Sequence, residues 1–122
     1  MAATVLVVED ERAVRAVSRR ILERMGCHVL EAASPREALR IAGAHPGHID
    51  LLLTDVVMPE MTGAQLATEI GRLRPGVRLL FISGYPAPLT SERGTLPESV
   101  AFLAKPFSPR ELASKVRETL AR

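Results

Sequence analysis

Tryptophan is missing from the chain, and the aromatic residues are one tyrosine and three phenylalanines. Proteins that grip nucleic acid commonly stack bases on such rings inside a basic groove. Here sixteen basic side chains face fourteen acidic ones for a net charge of +2, with no Lys/Arg block, so nucleic acid is not indicated as a partner. Cysteine is nearly absent too. The single residue, Cys27, excludes an internal disulfide and a cysteine-only metal site, suits a reducing cytosol, and reads as a small buried hydrophobe. No apolar run approaches the length of a membrane span. The opening MAATVLVVEDE lacks a basic leader and soon reaches acids, so neither a signal peptide nor membrane insertion is expected, and a cytoplasmic location is. At 122 residues, 47% of them hydrophobic and 25% charged, residues 1–122 are expected to form one domain with a sizeable core.

What is present is a regular alternation of short apolar runs with helical patterns, the sign of βαβ construction. Thr4 to Val8, His28 to Ala32, Asp50 to Thr54, Val77 to Ile82 and Val100 to Ala104 read as five strands. Four are apolar nearly throughout, as strands covered by helices on both faces must be. Between them Val14, Val17, Ile21 and Met25 mark one helical stripe, Leu66, Ile70 and Leu73 a second, and Leu112, Val116 and Leu120 a third. A short alanine-rich helix is expected from about Pro35 to Ala44. The sequence SPRE occurs at Ser34–Glu37 and again at Ser108–Glu111. Each copy predicts a capping box with proline at the first helical position. Tyr85 to Ser99 should hold a helix between the fourth and fifth strands, yet Pro86, Pro88, Gly94 and Pro97 predict a short or irregular one.

The stretch LLLTDVVMPEMTG, Leu51 to Gly63, interrupts an apolar run with Asp55. In parallel α/β sheets, residues just past the carboxyl ends of the strands line a common crevice, and ligands bind where the strand order reverses. The first strand ends in Glu9 and Asp10, the third in Asp55, the fourth in Ser83 and the fifth in Lys105. In the flavodoxin-like order 2-1-3-4-5, the first and third strands are neighbours at the switch point, so all three acids share one small volume. Packed carboxylates repel one another unless a cation neutralises them. An oxygen-only ligand set suggests Mg²⁺, which commonly binds one or two protein carboxylates together with a phosphate. Lys105 adds a second, mobile positive charge. Both would neutralise a phosphoryl group arriving at Asp55, whose carboxylate then serves as nucleophile.

The combination of VVED at the first strand end, TDVVMPEMTG around Asp55, ISG at Ser83 and the pair Lys105-Pro106 resembles the receiver domain of two-component response regulators, over essentially all 122 residues. The wording GYPAP after Ser83 and FLAKPFSPRELASKVRETL at the end is most like receivers fused behind sensor histidine kinases. The resemblance implies an α/β, flavodoxin-like doubly wound five-stranded parallel sheet with helices on both faces. It also implies a signalling module that catalyses its own phosphorylation and dephosphorylation and is not otherwise an enzyme. Asp55 matches the phosphoacceptor, charged from a phosphohistidine on a histidine kinase or histidine phosphotransfer domain. Asp10 matches the direct Mg²⁺ ligand, Glu9 a ligand acting mostly through water, and Val57 the position that offers its backbone carbonyl to the metal. Ser83 matches the switch hydroxyl and Lys105 the site lysine. Phe102 stands where the family places its rotating aromatic, an ordinary core phenylalanine being the other reading. A weak homodimer stays open.

Two other classes fit less well. A haloacid-dehalogenase-type phosphatase also uses a strand-end Asp nucleophile with Mg²⁺, but it needs a second acid two residues on, where Val57 stands. A phosphorylation-independent docking module would be expected to have lost one of the site residues, and none is missing. The family pattern has further consequences. Lys105 must point back into the crevice while the chain turns away toward the last helix, which predicts a cis peptide before Pro106. Val57 and Tyr85 should flank the approach of hydrolytic water to a phosphorylated Asp55. His28, His45 and His48 lack metal-ligand spacing and read as structural or solvated, and Met58 and Met61 read as packing residues.

Overall fold

The computed structural model describes residues 2–84 and 101–121. Within them the chain runs β1 (Thr4–Val8), α1 (Arg12–Arg24), β2 (His28–Ala32), α2 (Pro35–Ala44), β3 (Leu51–Asp55), α3 (Gly63–Leu73), β4 (Arg78–Ser83), β5 (Ala101–Ala104) and α4 (Pro109–Leu120). The strands form one parallel sheet in the order β2-β1-β3-β4-β5, the expected flavodoxin-like arrangement. The expectation of a short or irregular helix within Tyr85 to Ser99 lies outside the described residues.

Strand alternation divides the core into two layers, because successive side chains leave opposite faces of a sheet. Leu6, Val8, Leu52 and Phe81 pack with Ala38 and Ala42 of α2 and Leu66 and Ile70 of α3. Val5, Val7, Leu51, Leu53, Leu80 and Ile82 pack on the other face with Ile21 and Leu22 of α1 and Leu112 and Val116 of α4. Burying such a side chain contributes roughly 1.5–3 kcal/mol. On the sheet the buried polar side chains, Glu9, Thr54, Asp55 and Ser83, gather at the carboxyl ends of the strands, while Ser18 and Thr119 are buried on α1 and α4.

Helix starts are set by local chemistry. Ser108 and Glu111 form the expected reciprocal box at α4, with Glu111 N donating to Ser108 Oγ at 3.0 Å and Ser108 N to Glu111 Oε1 at 2.7 Å. At α2 the box is only half made: Ser34 Oγ accepts from Glu37 N, but the Glu37 carboxylate turns to Ala33 N at 2.7 Å, one residue ahead of the cap. A third box, Thr62 with Gln65, starts α3 and was not signalled by SPRE.

Two helical stripes differ from expectation. Val17 is half exposed, and α1 instead buries Ser18, Ile21 and Leu22. The inward face of α1 thus lies one residue round from the stripe that the valines suggested. Leu73, in the last turn of α3, is also half exposed, and Ala67 joins Leu66 and Ile70 inside. Leu112 and Val116 are fully buried and Leu120 packs against them, as expected. Met58 and Met61 pack into the α2/α3 layer. Cys27 is half-buried against the other layer and its thiol pKa is raised by burial, then by Asp50. The rings of His28 and His45 stack at 6.3 Å.

Candidate functional site

Alternation and register together explain why the strand-end charges meet. On β1, Glu9 continues the series Val5 and Val7, and on β3, Asp55 continues Leu51 and Leu53; both series face α1 and α4. Val7 lies opposite Leu53 and Val8 opposite Thr54. One step further, Glu9 stands against Asp55. On β5, Lys105 continues Ala101 and Leu103 on that same face. Its amide extends the ladder by donating to Ser83 O at 2.7 Å, and the Lys105–Pro106 peptide is cis as expected. Asp55 and Ser83 are the last residues of their strands, not the first residues past them as expected, because Val56 N still donates across to Ile82 O at 3.0 Å and Lys105 N to Ser83 O.

The resulting cluster is buried at its base and open at its rim. Glu9 is 3% exposed and Asp55 6%, while Asp10 faces solvent. One carboxylate oxygen from each of the three lies within 4.8 Å of the others. Lys105 Nζ sits 3.0 Å from Asp55 Oδ1 and 3.1 Å from Glu9 Oε1. It also lies 3.6 Å from Oε1 of Glu11, an exposed fourth acid that strand-end reasoning passed over. Glu11 N in turn donates to Glu9 Oε2 at 3.1 Å. The run EDE in the sequence was the only signal for it.

One ammonium does not balance this many carboxylates. Burial, and then the hydrogen bond and charge of Asp55, push the Glu9 carboxyl up from 4.5 to about 7, against the Glu11 amide and Lys105, which favour its ionised form. For Lys105, burial works against the ammonium, but hydrogen bonds and charge from Asp55 and Glu9 outweigh it and the pKa is raised. The three carboxylates, with one ammonium beside them, present the all-oxygen kind of donor set that hard divalent ions take.

The protonation of Glu9 carries a testable sign. Its folded pKa lies above its unfolded value, so the protonated group supports folding below pH 4.5, and that support is lost as the pH rises through about 7. In divalent-free buffer, wild type is therefore expected to lose stability relative to Glu9→Gln between those pH values, by on the order of 2 kcal/mol. Chemical denaturation of both proteins at the two ends of the window checks this. A constant difference would show that Glu9 does not titrate there.

Ser83 and Phe102 belong to the opposite face. Ser83 is buried at the end of β4 and continues the series of Phe81, and Phe102 packs into the same α2/α3 layer. Phe81 and Phe102 are ladder partners, as are Ser83 and Ala104. The sheet thus carries the acids and Lys105 on one side, and the hydroxyl and the aromatic ring on the other.

The loop after Asp55 is tightly folded. Thr54 Oγ1 lies 3.1 Å from the Asp55 carbonyl oxygen and 3.7 Å from Met58 Sδ. Glu60 adopts a left-handed φ of 75°, Met61 N donates to Pro59 O at 2.9 Å, and Gly63 N donates to Val56 O at 2.8 Å. Val57 is half exposed beside Asp55. Tyr85 lies outside the described residues.

Residues 5–117 match the family model of the response regulator receiver domain. Over 118 residues, 97% of the chain, the sequence is 43% identical to the sensor kinase CckA of Brucella abortus, of which the match spans 12%. It is 32% identical to the response regulator receiver protein CpdR of the same organism, over 95% of both chains. The receiver domain of the hybrid histidine kinase CckA superimposes with a TM-score of 0.81 at 40% identity, covering 97% of this chain and 99% of that one. No helix among the described residues is long and apolar enough to cross a membrane. A parallel sheet in this order, with acids and a lysine gathered at its carboxyl edge and a family match over nearly its whole length, makes this chain a member of the response regulator receiver domain family.

Proposed function

We propose that residues 1–122 act as one phosphoacceptor module in the cytoplasm, with Asp55 taking a phosphoryl group from a phosphohistidine on a histidine kinase or histidine phosphotransfer domain. The observation that carries this reading is a buried aspartate paired with Lys105 at 3.0 Å and clustered with the acids Glu9 and Asp10. The likeness to a receiver of a hybrid kinase supports a place in a phosphorelay.

In this reading an Asp55 carboxylate oxygen attacks phosphorus, the bond from phosphorus to the imidazole nitrogen breaks with its electron pair going to the ring, and an acyl phosphate forms. Lys105 follows the charge, exchanging its contact with Asp55 for the phosphoryl oxygens while keeping Glu9. Asp10, Asp55 and the Val57 carbonyl, with Glu9 behind them, would hold Mg²⁺. The ion supplies divalent charge that offsets both the acids and the incoming phosphoryl group. Ser83 then turns its hydroxyl toward the new oxygens, and Phe102 moves into the space released, carrying the change to the other face of the sheet.

The test is label transfer. Incubated with Mg²⁺ and a phosphorylated histidine phosphotransfer domain, the chain should gain a base-labile phosphoryl group as the donor loses its own. It should charge itself from acetyl phosphate with no kinase present. Failure with both donors would overturn the reading. Lifetime gives a finer check. Val57 cannot orient water for hydrolysis, so Val57→Asn is expected to shed its phosphoryl group about tenfold faster, equivalent to about 1.4 kcal/mol in the barrier. Decay after donor removal measures this, and equal decay would place control of the lifetime elsewhere.

A further inference from the structure

We infer that Arg15 is a positioning residue for the acid pair at the end of β1, an inference that rests on reading Glu9 and Asp10 as cation-holding acids. Arg15 lies in the first turns of α1, and its Nη1 donates to the Glu9 carbonyl oxygen at 2.7 Å. That carbonyl belongs to the peptide joining Glu9 to Asp10. The last pairs of β1 in its two ladders are Val8 with Ala32 and Val8 with Thr54, and Glu9 N is held by Ala32 O at 3.1 Å. The next peptide plane has left the sheet, and the guanidinium takes over there. The orientation of that plane sets the direction in which the Asp10 side chain departs, and Asp10 is the exposed member of the acid cluster.

Arg15 is itself held. Its Nε lies 3.6 Å from Glu31 Oε1 on β2, and the other oxygen of Glu31 pairs with Arg19, which also pairs with Glu23 at 3.0 Å. The Arg15–Glu31 contact is the sheltered end of this chain, with side chains 18% and 28% exposed, against 48% and 50% for Arg19 and Glu23. Exposed pairs contribute little, whereas a partly desolvated one can fix a geometry. Arginine suits the task because its planar fork serves a carbonyl and a carboxylate at once, which a lysine ammonium cannot do in the same way.

The test compares Mg²⁺ affinity in the unphosphorylated protein, measured by titration calorimetry, with unfolding midpoints in EDTA. Arg15→Met keeps the apolar stem and removes the donors. It is expected to weaken Mg²⁺ binding about tenfold, and Arg15→Lys to recover roughly a third of that loss, as substitutions behind a metal ligand do. Arg72→Met, which removes an exposed arginine of α3 paired with Glu69 at 3.6 Å and outside this network, should leave affinity unchanged. Wild-type affinity in Arg15→Met, even with a lowered unfolding midpoint, would make Arg15 merely structural and overturn the inference alone. A wild type that binds no Mg²⁺ would remove the reading of the acids together with it. Should Arg15→Met fail to fold, Glu31→Gln tests the same point, with affinity expected to fall about threefold and an unchanged value counting against the inference.

Discussion

Asp55→Asn is expected to take up no phosphoryl group from acetyl phosphate under conditions that label wild type fully. The substitution keeps the shape of the side chain and turns its carboxylate into an uncharged amide, which is a far poorer nucleophile. It leaves Lys105 paired with Glu9 at 3.1 Å, so the fold has no reason to fail. Removing the neighbouring carboxylate also relieves Glu9, whose pKa Asp55 helps to raise. The variant should therefore unfold at the same temperature as wild type or a higher one, while its labelling rate falls by three orders of magnitude or more, equivalent to about 4 kcal/mol in the barrier. Intact mass after incubation with donor, alongside a melting curve, reads both quantities. Equal labelling of the two proteins would move the phosphoacceptor elsewhere.

Gly63→Ala should be nearly as damaging, for a reason that lies in the backbone. A Cβ at Gly63 would stand 2.1 Å from the Asp55 carbonyl oxygen and 3.1 Å from both the Asp55 carbonyl carbon and Val56 Cα. None of these atoms belongs to a side chain that can swing away. Either α3 backs off from the end of β3, breaking the 2.8 Å bond from Gly63 N to Val56 O, or the Asp55–Val56 peptide rotates and takes the Asp55 carboxylate with it. Overpacking of this kind costs about 3 kcal/mol, and the unfolding midpoint should drop by roughly 10 °C or more. Labelling from acetyl phosphate should slow in parallel. At Gly71, in the same helix, a methyl group would meet nothing within 4 Å. Gly71→Ala is expected to stabilise the protein by about 0.5–1 kcal/mol, since glycine inside a helix costs that much relative to alanine. Opposite signs for these two Gly→Ala changes in one helix would confirm that contact with Asp55, and not helix propensity, governs the first. A tolerated Gly63→Ala would show that the loop can yield.

Much of this site was legible because two periodicities are written into the strands. Apolar runs of five residues gave the strand count, their separation by helical patterns gave parallel order, and the charges at their ends named Glu9, Asp10, Asp55 and Lys105. The polarity of Ser83 amid apolar neighbours marked it in the same way. What stayed hidden depended on partners from distant segments. Arg15 reads as one of several arginines on α1 until β2 supplies Glu31 and β1 supplies a carbonyl. Glu11 reads as a helix-cap acid until Lys105 arrives from β5. The stripe through Val17 misleads because helix periodicity tolerates a shift of one residue, and a small buried Ser18 carries no hydrophobic signal. The Glu37 carboxylate accepts from Ala33 N and leaves the box at Ser34 half made, a difference between the two SPRE copies that their identical residues do not encode. Gly63 is punctuation in the sequence and a contact surface only once α3 folds back on β3.

The central strand has a use of its own. Leu51, Leu52 and Leu53 are essentially inaccessible to solvent and lie between β1 and β4, both hydrogen-bonded to β3. Backbone amides so enclosed exchange their hydrogens with solvent only when the whole domain opens. Their exchange rate is then a gauge of global stability, read at a few residues. Anything that binds the folded site should move the gauge by mass action alone: an ion at a hundred times its Kd adds about 2.7 kcal/mol, slowing exchange roughly a hundredfold. Because Asp55 ends this same strand, its occupancy can be followed from Leu51–Leu53 without labelling the site.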